Sequence, residues 1–120
     1  SKNTLENALI DMEGGLKNNV LEMQPVESEL VSLGAHITSL WSVILPTALV
    51  ASGEFTATIF NNPKPEDGAA ISLIVTEAGG KVTDLDGNQQ KYNQPINGFV
   101  ASNGHVHQQI VDIIKAKKNS

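Results

Sequence analysis

The chain has 120 residues, 40% of them hydrophobic and 18% charged, which suits one folded domain with a single core and argues against wholesale disorder. Thirteen acidic residues against eight basic ones give a formal charge of −5, and all eight basic residues are lysine. This argues against a nucleic-acid-binding face and leaves no arginine in the chain to clamp a phosphate. The lack of cysteine excludes disulfides, thiolate metal sites and a cysteine nucleophile, and is compatible with the cytoplasm, the compartment expected here.

No internal repeat or low-complexity stretch interrupts the chain. Leu5 to Met12 reads as a short strand, punctuated by Gly14-Gly15. Leu16, Val20, Leu21 and Met23 line a weak helical face that should end before Pro25. A short helix is expected from Val26 to Leu33, stopped by Gly34. A strand through Ile37 and a second helix follow. Pro46 fits the first turn of a helix running to Ser52, where its missing N–H costs nothing; a helix starting near Leu40 would have to kink there. Phe55 to Phe60 alternates and is rich in β-branched and aromatic residues, as strands are.

Asn61-Asn62-Pro63-Lys64-Pro65 reads as a stiff loop. Asp67 to Ala78 is the clearest helix, with Ala70, Ile71, Ile74, Val75 and Ala78 on one face. Gly79-Gly80 ends it. Lys81 to Asp84 leaves as a short strand, Asp86-Gly87 turns, and Gly98 to Ala101 forms another strand. A last helix carries Val106, Ile110, Ile113 and Ile114. Alternation at these spacings predicts a layered α/β sandwich in a single domain, residues 1–120.

From Val31 to Gly53 the chain runs 23 residues without Asp, Glu or Lys, long enough to cross a bilayer. Ser32, Gly34, His36, Thr38, Ser39, Ser42, Pro46 and Thr47 interrupt it, so a buried strand and helix are expected rather than a membrane span.

Asp67 is the first candidate for chemistry. A carboxylate at a helix N-terminus behind a proline-stiffened loop can hold a hard cation, and it can equally serve only to complement the helix dipole. Glu66 adds charge, but adjacent helical residues do not share a face. Asp84, Asp86 and Asn88 open like a calcium loop but lack its later glutamate, which leaves a turn. His105 and His107 should point apart and lie on the surface. His36 reads as a core or edge residue, and Ser42 has no neighbouring base.

Three stretches go further. Leu49-Val50-Ala51-Ser52-Gly53, Lys64-Pro65-Glu66-Asp67-Gly68-Ala69-Ala70 and Leu73 through Glu77-Ala78-Gly79-Gly80-Lys81-Val82-Thr83-Asp84, followed by Phe99-Val100-Ala101-Ser102-Asn103, resemble the inositol monophosphatase family. The resemblance covers more than half the chain without a gap across its motifs. It implies the C-terminal half of the sugar and inositol phosphatase fold. It also assigns Asp67 to the family's signature aspartate, a ligand of catalytic Mg²⁺ close to a substrate hydroxyl.

The signature tryptophan is Glu66 here. Phe60 stands seven residues before Asp67, where inositol-binding members carry glutamate. The family's Gly-Ser/Thr-Ala step falls on Trp41-Ser42-Val43, making Ser42 a weak substrate contact; Gly34-Ala35-His36 matches only with an insertion.

Family enzymes are about twice as long. Their first half supplies a Glu-Glu step, an Asp-Pro-Ile-Asp-Gly-Thr run and the threonine that helps activate water. A lone aspartate does not hold Mg²⁺, which needs six oxygens in good geometry. The resemblance therefore implies part of a Mg²⁺-dependent phosphomonoesterase. It needs a missing N-terminal metal-binding domain, holds no complete catalytic set and is inactive alone. A non-catalytic binding or regulatory role and a self-associating fragment are the alternatives.

Overall fold

The computed structural model describes residues 4–13, 23–39, 44–61, 65–89 and 98–118. Along the chain lie β1 (Leu9–Glu13), α1 (Met23–Ser32), β2 (His36–Thr38), α2 (Ile44–Ala51), β3 (Ala57–Asn61), α3 (Pro65–Glu77), β4 (Lys81–Thr83), β5 (Gly98–Ser102) and α4 (His107–Lys118). These form a mixed five-stranded sheet in the order β2-β1-β3-β5-β4. β1 is parallel to β2 and to β3, while β5 is antiparallel to β3 and β4. The expected α/β layering is present.

Local chemistry sets the helix ends. Pro25 and Pro46 stand third in α1 and α2, and Pro65 opens α3. Each falls in the first turn, where backbone N–H groups have no helical acceptor. α1 therefore runs through Pro25 rather than starting beyond it, and Met23 and Gln24 belong to the same helix; residues 16–22 lie outside the described residues. α2 begins at Ile44, so Pro46 does not kink it within the described residues.

All three helices stop in the same way. Gly34, Gly53 and Gly79 adopt φ of 96°, 87° and 88°. The next residue's N–H then returns to a carbonyl of the last turn: Ala35 to Leu30 at 3.1 Å, Glu54 to Leu49 at 2.9 Å, Gly80 to Val75 at 2.9 Å. This left-handed closure satisfies carbonyls that would otherwise be stranded.

Two apolar clusters divide the core by sheet face. Ile10, Ile59 and Val100 face Val26 and Leu30 of α1, Val106 just before α4, and Ile110 and Ile114 of α4. On the other face Phe60, Phe99 and Ala101 meet Val50 of α2 and Ile71 and Val75 of α3. The stripe that α3 buries is narrower than its spacing predicts: Ala70 and Ala78 are exposed and Ile74 is 37% exposed. The outer side of the α1/α4 layer carries the surface pair Lys117–Glu29 at 3.4 Å, worth about 0–1 kcal/mol.

Gly80 has an ordinary φ yet tolerates no side chain. A Cβ there would overlap the Ser102 carbonyl oxygen and lie 2.7 Å from Val75 Cγ1, whereas a Cβ on Gly79 meets open space. Gly79→Ala should therefore cost about 1 kcal/mol, through its left-handed backbone. Gly80→Ala should cost about 3 kcal/mol, through overpacking of backbone and core. Urea unfolding of the two variants checks this order.

Candidate functional site

The chain leaves β1 through α1 on one face of the sheet, returns in β2, then crosses by α2 on the other face to β3. β1 lies between β2 and β3, parallel to both. The carboxyl ends of β1 and β3 thus border a topological switch point, where open α/β sheets place their ligands.

Glu13 ends β1, Ser39 follows β2, Asn61 ends β3, and α3 opens at Pro65. Asp67 is the third residue of α3, so its backbone lies in the first turn beyond this edge. Negative charge is favoured there by the helix dipole. The Asp67 and Glu66 side chains, and Trp41-Ser42-Val43 entirely, lie outside the described residues.

Two carboxylates that the sequence reading passed over approach the same edge. Asp11 is fully buried and Glu13 nearly so, two residues apart on one side of β1. Asp11 sits in register with Thr38 on β2 and Thr58 on β3. Thr58 Oγ1 donates to Asp11 Oδ2 at 3.3 Å, and Ser39 Oγ donates to Glu13 Oε1 at 3.0 Å. Their signal was the run Leu9-Ile10-Asp11-Met12-Glu13, where charge alternates with apolar residues and so shares a face.

Among the described residues, no three His, Cys, Asp or Glu side chains converge to hold a metal ion. The oxygens of Asp11 and Glu13 are hard donors, the type Mg²⁺ takes.

The other candidates resolve as follows. Phe60 is buried in the core, its ring 4.6 Å from that of Phe99 and tilted by 34°. Asp84 caps its own turn, Oδ1 accepting the N–H groups of Asp86 and Asn88 at 2.9 Å each. His36 lies on the edge strand β2. A cavity of about 220 Å³ touches Val50, Gly53, Val75, Gly80 and Ser102; it opens at the C-terminal ends of α2 and α3, away from the switch-point edge. No described helix is long and apolar enough to cross a membrane.

His107 departs from expectation. His105 is exposed, but His107 is only 1% exposed. Thr83 Oγ1 donates to the Asp84 carbonyl at 2.9 Å, so it accepts from His107 Nε2–H at 2.8 Å. Nδ1 then accepts from Ser102 Oγ at 2.7 Å. Ser102 Oγ in turn accepts the Gly104 N–H at 3.0 Å. This direction of donation suits the neutral ring. Burial, and secondarily the charge of Lys81, lower its pKa from 6.5 to about 4.

The sequence profile of the inositol monophosphatase family matches residues 5–119. A fructose-1,6-bisphosphatase/inositol-1-monophosphatase of Thermotoga maritima is 36% identical over 79 residues, which are 66% of this chain and 30% of that protein. A solved IMPase from Thermotoga maritima superposes with a TM-score of 0.83 at 25% identity, over 98% of this chain and 44% of its own. An IMPase/NADP phosphatase solved with Mg²⁺ and phosphate superposes with a TM-score of 0.76 at 28% identity, over 94% and 41%. The chain spans less than half the length of each of these relatives.

The neutral His107 sets a pH dependence. The unfolded state, with the ordinary pKa, binds more protons between about pH 6.5 and 4, so folding weakens as pH falls through that window. Stability should drop by about 2 kcal/mol between pH 7 and pH 5. Chemical denaturation at the two pH values checks this, and His107→Gln should remove most of the difference.

Proposed function

Because this chain belongs to the inositol monophosphatase family, we propose that it is the C-terminal half of a metal-dependent phosphomonoesterase acting on a sugar- or inositol-type phosphate. The observation that carries this reading is the place of Asp67. Asp67, the residue matched to the family's signature aspartate, is third in the helix that follows β3, and that helix begins beyond the switch-point edge where α/β sheets bind ligands.

In this reading Asp67 gives one carboxylate to a Mg²⁺ ion and lies close to a substrate hydroxyl. The segment from Asn61 to Glu66 flanks the substrate, with Ser42 as a further contact. When bound, Mg²⁺ polarises the phosphoester and lowers the pKa of water. The remaining ligands and the water-activating group come from an N-terminal domain outside this chain. The support for this is length: the solved relatives are more than twice the matched length. The N-terminal dipole of α3 favours negative charge on Asp67 and on a phosphate beside it. The setting we assign is the cytoplasm, since a phosphate ester is too polar to enter hydrocarbon unaided.

The packing of Phe60 favours a second reading. The position where inositol-binding members of the family carry glutamate is here filled by a core aromatic. A protein with that change has lost one hydroxyl contact and can serve as a phosphate-ligand binder rather than a catalyst.

The 120-residue chain should show no hydrolysis of inositol or sugar phosphates in Mg²⁺. Joined to its complementary half, it should hydrolyse one of them. Asp67→Asn should then lower kcat by about 100-fold or more, the scale of losing one charge-stabilising group, with little change in the unfolding midpoint. Hydrolysis by the isolated chain, abolished by Asp67→Asn, would refute the half-site reading. An inactive joined protein that still binds the phosphate would favour the binder.

A further inference from the structure

Glu13, the last residue of β1, stands in register with Phe60 on β3. The two therefore belong to the same face of the sheet. Phe60 spends its position on the core, where it is buried against Phe99. Glu13 does not. It is 9% exposed, and its Oε1 accepts from Ser39 Oγ at 3.0 Å. Ser39 follows β2 and is exposed, so this contact draws the carboxylate toward the mouth of the sheet. Asp11, two residues earlier on the same side, accepts from Thr58, and both are fully buried. Along β1 the acids thus rise from the interior to the carboxyl edge. A glutamate at a strand's end is long enough to turn into water. Ser39 holds this one over the ends of β1 and β2.

We infer that Glu13 is a specificity-determining residue of the proposed site, its carboxylate accepting a hydroxyl from the polyol part of the substrate while the phosphate lies toward α3. The inference rests on the half-fold phosphatase reading above and concerns the same switch-point edge. Charge sets the orientation. A phosphate beside Glu13 would meet like charge, whereas the first turn of α3 favours an anion. A hydroxyl can donate, and an ionised carboxylate only accepts. Geometry sets the class of ligand. Neighbouring strands lie about 5 Å apart. A ligand with its phosphate beyond β3 must extend across one strand to bring a hydroxyl to the end of β1. A polyol monophosphate does this; inorganic phosphate and the ester of a simple alcohol do not. A hydroxyl contact absent at Phe60 is thereby supplied by its register partner on the next strand.

The test is a ratio between two substrates, measured on the chain joined to its complementary half. Inositol 1-phosphate carries ring hydroxyls; phenyl phosphate carries none on its organic part. Glu13→Gln should lower the kcat/KM ratio of the first to the second by about tenfold or more, the scale of a hydrogen bond to a charged group. The loss should appear in KM. Ser39→Ala, at an exposed position that leaves the core intact, should lower the same ratio by a smaller factor. Glu29→Gln, on the outer side of α1, should leave it as in the parent. Should the joined protein bind without turnover, calorimetric affinities for inositol 1-phosphate and inorganic phosphate give the corresponding ratio. An equal fall for both ligands, or no fall for either, overturns the inference and leaves the half-fold reading standing. So does a fall that added Mg²⁺ reverses, which would place Glu13 on the metal. A joined protein that binds neither ligand overturns the reading and the inference together.

Discussion

The sheet has no side that faces water, and the rest of the molecule follows from that. All five residues of β5 are buried, and β3 is buried along Ala57 to Phe60. Each face therefore needs its own helix layer. With β1 between β2 and β3, covering both faces sends successive crossovers to opposite sides of the sheet. That divergence makes the carboxyl ends of β1 and β3 a topological switch point. The place of the candidate edge is thus a consequence of burial, before any side chain there is considered.

Burial on both faces also dictates how polar groups inside are handled. An unpaired buried hydroxyl or carboxylate costs several kcal/mol, roughly the scale of a lost hydrogen bond or more. Ser102 and Thr83 face inward, and His107 accepts from one while donating to the other. The imidazole is an internal clasp between β4, β5 and the first turn of α4. Asp11 is handled in the same way on the opposite face, where Thr58 reaches it from the neighbouring strand.

Local features made much of this legible in the sequence. Proline can stand in a helix's first turn and glycine past its last, so Pro25, Pro46, Pro65, Gly34, Gly53 and Gly79 bracket three helices before any tertiary contact is known. The aspartate in Lys64-Pro65-Glu66-Asp67 and the glycine pair of Glu77-Ala78-Gly79-Gly80 gave the family, because close backbone packing and a fixed turn need those residue types. Strand order was not legible. Nothing local says that β1 separates β2 from β3, and so nothing local identifies Glu13 as an edge residue. His107 is hidden for the same reason: its partners lie 24 and 5 residues away, and helical spacing alone sends it to the surface. The apolar spacing of α3 predicts one face toward one core, whereas Ile71 is buried and Leu73, on the other side of the helix, is exposed.

The one-sided packing of α3 has a consequence for its N-terminus. A helix packed on one side is fixed in tilt by a single set of contacts. α3 is fixed against the sheet by Ile71 and Val75 and closed at its far end by the Gly80 to Val75 hydrogen bond, while Leu73 on its other side is exposed. Those few contacts therefore set the direction in which the first turn of α3, with its positive dipole end, meets the carboxyl ends of β1 and β3. A substitution at Ile71 or Val75 would alter that aim as well as the core, although neither residue stands near the first turn.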